Sequence, residues 1–371
     1  MKTKTFVVAV AWVLLVGTQQ APAQYYAQQG TPAGMVPQPG MMPQPGMMPQ
    51  YAVPDSGPMM QGGGECAEGG CPCGRLIFRA PTWTAFGEFL EIKPRDTEVP
   101  YAAATNTDLG VNAGRVAAVD IPYQPAFRVG AAHGIDDSSE ICGTYTYFRG
   151  DGFDITSVNA PFVDRSLVTQ FDVVPQTFAT ASYTIDFNLA DLDYKCKFLC
   201  NERYGVSFLL GARYADLTQE FTSVFGPFGS ETVHSKIRFE GAGIRLGLEG
   251  ESRVGASGFM FYGKSVANFL PGKFRAAEQE AFLGDDLTET EYKATRIVTI
   301  LESEVGVGWA SPQDHIRVSI GYMVSGWFNV LKTDQYISAI QNSSASQCST
   351  FSSLGDTITF DGAVAKAEFR F

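Results

Sequence analysis

Ionisable residues in the C-terminal part of the chain recur at every second position within otherwise apolar stretches. Side chains two apart along a β-strand share a face, so this spacing gathers charge on one side of a sheet. The residues so gathered are Glu88, Arg128, Asp186, Asn188, Asp191, Asp193, Arg213, Arg245, Glu249, Lys264, Arg296, Glu302, Glu304, Arg317, Lys366, Glu368 and Arg370, with both signs on neighbouring stretches. Lining a lumen, they would form a charged eyelet that sorts small ions by sign. The competing chemistry is a self-neutralising network that fills the interior. Asp186 and Asn188 are out of phase with Asp191 and Asp193, and a β-bulge near Ala190 would keep all four inside.

Other reactive residues are sparse. The only histidines are His133, His234 and His315. Of these, His234 lies near Glu220 and Glu231, a pairing more typical of a solvated loop than of an acid–base centre. Catalysis is not expected. The glycines Gly241, Gly243 and Gly247 do not form a dinucleotide fingerprint, and no cofactor is expected. Seven cysteines leave at least one thiol free or intermolecular. Cys66, Cys71 and Cys73 cluster without the fourth ligand of a zinc site. Cys142 with Cys196 or Cys200 is a plausible crosslink in an oxidising compartment, with Cys196–Cys200 as the rival pairing.

The elements that must position these groups follow from the rest of the chain. Lys2 and Lys4 precede an apolar stretch of 12 residues, Phe6 to Gly17, and then Ala21-Pro22-Ala23, so residues 1–23 read as a cleaved secretory signal peptide. The stretch is too short to span a bilayer, for which roughly 18 to 20 apolar residues are needed, and nothing later approaches it. Residues 24–75 form a Pro/Gln/Gly/Met-rich tether that contains PQPGMM twice, at 37–42 and 43–48, and ends in the cysteine cluster. Repeated Pro and Gly prevent helix or sheet from propagating there. Its clustered Met thioethers would suit Cu(I), against the plainer reading of a flexible linker.

Residues 76–371 alternate apolar and polar residues at period two, marking about ten strands at 82–93, 125–133, 139–149, 178–196, 202–216, 233–251, 258–269, 293–310, 315–331 and 355–371. The connections between them are alternately long and short. All long loops therefore fall at one end, as in an outer-membrane barrel with short periplasmic turns and long extracellular loops. A transmembrane antiparallel up-and-down β-barrel is predicted, with the termini periplasmic. The ninth run shows its faces: Ile316, Val318, Ile320, Tyr322 and Val324 alternate with Arg317, Ser319, Gly321, Met323 and Ser325. The last run ends in Phe369 and Phe371, which matches the C-terminal signal read by barrel-assembly machinery. Net charge of −12 argues against nucleic acid as a partner, while 12% aromatic residues argues against disorder throughout.

The segments GEFLEIKPRDTEVPYA (87–102), EGAGIRLGLEGE (240–251), FMFYGKSVANFLPG (259–272), EVGVGWA (304–310), IGYMVSGWFN (320–329) and the terminal FDGAVAKAEFRF resemble the Legionella-type major outer-membrane protein family, including its planctomycete-like members. The resemblance implies a pore-forming barrel in a Gram-negative outer membrane, and it brings no catalytic residues. The expected function is passive diffusion of small solutes or ions through a narrow pore. The alternative is a closed barrel serving adhesion or structure through its long loops. Expected partners are outer-membrane lipid, the assembly machinery, small solutes or ions, and possible further copies of the chain.

Overall fold

The period-two alternation closes into a barrel. The computed structural model describes residues 83–371, apart from 137, 171–175, 202, 227–230, 256, 344–350 and 352–353. The predicted signal peptide, the tether and the cluster of Cys66, Cys71 and Cys73 lie outside the described residues, as does Cys348.

Ten strands form the closed wall: β1 (Trp83–Arg95), β4 (Gln124–Gly134), β5 (Ser139–Ser157), β7 (Phe178–Cys200), β8 (Tyr204–Phe225), β9 (Glu231–Arg253), β10 (Phe259–Phe282), β11 (Asp285–Ala310), β12 (Ile316–Val330) and β13 (Asp356–Arg370). Every pairing in the wall is antiparallel, and β13 closes on β1 with Thr84 opposite Arg370 and Arg95 opposite Thr359. Closure leaves no unpaired edge, the condition for crossing a bilayer with strands. Each of the ten sequence runs corresponds to one wall strand.

The strands are longer than expected at one end. The segments 217–232 and 270–292, read as loops, are mostly wall: β8 runs to Phe225 and β9 starts at Glu231, and β10 and β11 are joined through Leu283 and Gly284. Both of those residues have positive φ, 52° and 90°, the backbone of a tight hairpin whose twist matches its strands. The three remaining long connections carry structure of their own. β2 (Val99–Asn106), β3 (Val111–Val119) and β6 (Phe162–Ser166) form a small sheet in the order β3-β2-β6, and α1 (Thr333–Ser343) lies between β12 and β13.

Side-chain polarity inverts along the barrel. Near the termini and the short turns the outer face is apolar, for example Ile244, Leu246 and Leu248 on β9 and Ile316, Val318 and Ile320 on β12, all exposed. The inner face there is charged. Toward the long connections the pattern reverses: Lys236 and Arg238 point outward from β9 while Val233, Ile237 and Phe239 are buried inside. A lipid belt with a polar lumen is thus continued by a water-exposed wall with an apolar core. The end with the termini carries the short turns, which in outer-membrane barrels face the periplasm.

The inversion corrects the reading of β7. No bulge occurs at Ala190, because the register with both β5 and β8 runs unbroken through it. Odd-numbered residues face inward from Ala179 to Lys195, ahead of the register shift at Lys197, so Asp186 and Asn188 point out of the barrel. Asp186 stands opposite Arg149, and Asn188 accepts a 2.6 Å hydrogen bond from the Tyr145 hydroxyl. Their polarity reflects the edge of the lipid belt, where the outer face turns hydrophilic.

Candidate functional site

Within the belt, the inner faces of the strands enclose a cavity of about 240 Å³. Among the described residues its lining includes ten basic and ten acidic side chains. The balance means that the acidic composition of the whole chain gives this space no single sign.

The innermost layer is held by two buried arginines. Arg213 on β8 donates from Nε and Nη2 to the two oxygens of Asp191, at 2.6 and 2.7 Å, and from Nη1 to Glu302 at 2.8 Å. Arg245 on β9 reaches Glu302 at 3.0 Å, Asp193 at 3.1 Å and the Asn268 amide oxygen at 3.0 Å. These guanidiniums are 2% and 3% exposed, so their planar forks are satisfied by carboxylates instead of water. Arg128 joins Glu88 at 2.6 Å to Glu304 at 3.5 Å, and the Tyr262 hydroxyl donates to Glu304 at 2.9 Å. Several of these pairs cross the lumen, since β8 and β11, or β4 and β11, are not neighbours.

A second layer lies nearer the periplasmic rim. Lys366 approaches Glu368 at 3.3 Å and Glu88 at 3.7 Å, and Arg370 pairs with Glu368 and with Asp314, the latter at 3.0 Å. Arg317 bridges Asp314 at 2.7 Å and Glu251 at 3.0 Å. Lys195 sits between Glu249 at 3.2 Å and Glu140 at 3.4 Å. Lys264 lines the cavity opposite Glu249 and Glu304 in register, yet both acids are engaged by other cations.

The structure therefore gathers Glu88, Arg128, Asp191, Asp193, Arg213, Arg245, Glu249, Lys264, Glu302, Glu304, Arg317, Lys366, Glu368 and Arg370 around one lumen. Asp186 is outside it. Arg296 faces inward but in the extracellular half, where its Nη2 donates to the Tyr292 hydroxyl at 3.3 Å. Sequence reading missed Glu140, Lys195, Glu251 and Asp314. Lys195 and Glu251 continue the inward phase of their strands and could have been found by extending it by one step. Asp314 sits in a turn, at φ 58°, where no face periodicity applies.

Cys142, Cys196 and Cys200 are free thiols. Cys142 is opposite Asp193 and Cys196 opposite Ser139, so the β5–β7 register sets them three residue pairs apart. His234 lies on the outer face with Nδ1 3.0 Å from the Thr222 hydroxyl, while Glu231 is buried on the inner face. Those two do not share a site.

Beyond the charged layers the lumen is crossed by aromatic rings. Phe187 on β7 and Trp327 on β12, with centroids 5.6 Å apart, stand on diametrically opposite strands. Phe360 packs against Phe187 at 5.1 Å, Trp327 at 5.9 Å and Phe148 at 5.8 Å. Above this septum α1 buries Tyr336, Ile337 and Ile340. Gln219 ties it down, donating to the Leu331 carbonyl at 2.7 Å and accepting from the Tyr183 hydroxyl at 2.9 Å. The connection before β4 also enters the barrel, passing over Gly152, where an added Cβ would lie 2.4 Å from the Asp120 carbonyl oxygen. Only glycine admits so close a backbone approach.

Over 81% of this chain and 100% of the other, the barrel is similar to the outer membrane protease OmpT from Escherichia coli, at 11% identity and a TM-score of 0.47. The toluene transporter TodX of Pseudomonas putida aligns over 78% of this chain and 90% of its own, at 8% identity and a TM-score of 0.32. At those levels neither likeness bears on activity. No curated protein matches the sequence. A family model described as Legionella pneumophila major outer membrane protein precursor matches residues 79–361, so this chain, with its closed ten-stranded barrel, belongs to that family of outer-membrane proteins.

Proposed function

We propose that the protein is a porin-like channel for small polar solutes or ions, seen here with its lumen shut. The observation that carries this reading is the contrast between the two halves of the interior. In its extracellular half the chain fills the barrel with Phe, Trp, Leu and Ile, so it can build an apolar interior where it needs one. Within the lipid belt it instead places some twenty ionisable groups around a cavity. Taking paired charges from water is expensive, and well-packed apolar residues would often be as stable. A polar passage gives those charges a use.

A channel of this kind needs the septum to part. The aromatic rings belong to wall strands, whereas α1 belongs to a connection tied down by side-chain hydrogen bonds of Gln219, Tyr336 and Gln341, so withdrawal of α1, with those bonds broken, is the first movement that would relax the packing above them. The direct test is planar-bilayer conductance of the full mature chain. Short, small steps that change in ion preference when Glu302→Gln and Glu304→Gln are introduced support the reading. Silence from barrels shown to be folded counts against it.

The septum itself favours a second reading, a closed barrel whose extracellular cap of β2, β3, β6 and α1 mediates surface contacts. Replacing residues 99–119 with a short linker would then abolish surface binding and leave conductance as it was. The exposed C-terminal Phe369 and Phe371 fit recognition by assembly machinery, and truncation of Phe371 is expected to slow barrel insertion.

A further inference from the structure

The outer face above the lipid belt carries a row of cations that the fold does not explain. On β9, β10 and β11 the large apolar outer residues of the belt end at Ile244, Phe269 and Ile297. Four residues further along β10 and β11 stand Lys273 and Lys293, with Arg275 beyond Lys273 and with Lys236 and Arg238 on β9, all exposed and outward. Register places Arg238 opposite Arg275, and Arg275 opposite Lys293. Three like charges therefore lie side by side across three adjacent strands, at the spacing of roughly 4.8 Å between strands. Like charges directly opposite each other destabilise a sheet.

Neighbouring acids answer only part of this charge. Arg238 pairs with Asp216 and Glu240, both at 2.8 Å, and Lys293 with Glu291 at 2.7 Å. Neither Lys273 nor Arg275 has an acid within ion-pair distance among the described residues. The row begins about four residues, or roughly 13 Å of strand, past the last large apolar side chain, less after strand tilt. That is the depth of the head groups of the outer leaflet.

We propose that Lys273, Arg275, Lys293 and Arg238 form a binding surface for a phosphorylated head group of an outer-leaflet lipid. The proposal rests on the outer-membrane placement of the barrel and is independent of whether the lumen conducts. The acyl chains of such a lipid would lie on the apolar rows of β9 to β11 directly below, so charge and apolar surface are continuous in one ligand. A phosphate between Arg275 and its neighbours converts their mutual repulsion into charge-assisted hydrogen bonds, for which the guanidinium fork is suited.

The test uses the full mature chain folded in zwitterionic micelles, with binding read by native mass spectrometry. The probes are bis-phosphorylated lipid A, the same lipid stripped of phosphate, and inorganic phosphate. The K273Q/R275Q/K293Q variant is compared with R149Q, which removes an outward charge from β5, away from the row. Expected is tight binding of the phosphorylated lipid alone, weakened about fivefold per charge and near 100-fold in the triple variant, with R149Q unchanged. Equal binding of the dephosphorylated lipid, or equal loss in R149Q, would overturn the proposal. So would a wild-type dimer in lipid-free micelles that the triple variant dissociates, because the row would then be a contact between copies. Should the triple variant not fold, the wild type alone decides: binding must fall steeply with added salt and must not be reproduced by inorganic phosphate.

Discussion

Glu302 is the carboxylate on which the inner charged layer turns. It accepts from Arg213 at 2.8 Å and from Arg245 at 3.0 Å, and among the described residues it is the only acid that the two arginines share at 3.0 Å or less. Glu302→Gln keeps the shape and removes the charge. Breaking one partner out of a buried pair costs on the order of 3 to 5 kcal/mol. Arg213 retains its two bonds to Asp191, and Arg245 retains Asp193 and Asn268, so neither cation is stranded. The expected loss is therefore at the low end, about 3 kcal/mol. Urea unfolding from lipid vesicles, followed by tryptophan fluorescence, would measure it against Lys264→Gln, which breaks no ion pair within 4 Å among the described residues and should cost clearly less than Glu302→Gln. A Glu302→Gln barrel as stable as wild type, or a Lys264→Gln barrel equally weakened, would refute this account of the network.

Further consequences concern the extracellular half. Burial pushes the Glu278 carboxyl up to about 8 and that of Glu231 up to about 7, with Glu280 beside both adding to the rise. Each holds its proton more tightly folded than unfolded, so the stability this confers is complete below about pH 4.5 and is lost as pH rises through 7 and 8. Hydrogen exchange of α1 amides should therefore quicken, beyond the intrinsic rate change, between pH 5 and 8.5, and Glu278→Gln should flatten that dependence. Gly152→Val should drive residues 120–123 off the inner face of β5, so that limited proteolysis cuts there while the wall stays folded. Leu283, held at φ 52° in the β10–β11 turn, is strained for a branched side chain, and Leu283→Asn should raise stability by up to about 1 kcal/mol in the same urea assay.

Much of this was legible from alternation alone. All ten wall strands, the end that bears the long connections, and most of the inner charged row follow from which residues share a face. Reading failed where the environment on both sides of the wall changed. On β7, Asp186 and Asn188 seemed to need a bulge to stay inside, but it is the surroundings that switch at Ala190 while the strand runs on. For the same reason 217–232 and 270–292 were read as loops: Thr218, Glu220 and Thr222 on β8 and Lys273 and Arg275 on β10 look unlike a lipid-facing row, and Pro271 looks like a strand end. Pro271 faces outward and stays paired with Ile297 on β11. The aromatic septum was invisible because contact between Phe187 and Trp327 depends on the diameter of the closed barrel, which no local pattern encodes.

The central claim is that a charged passage within the membrane is closed by an apolar septum at its extracellular boundary. Single-channel recording of the wild type beside the Phe187→Ala/Trp327→Ala double variant tests it most directly. The account predicts rare, brief openings for the wild type and frequent, longer openings of similar ion preference for the variant. Two equally silent barrels, both shown to be folded in the bilayer, would contradict it.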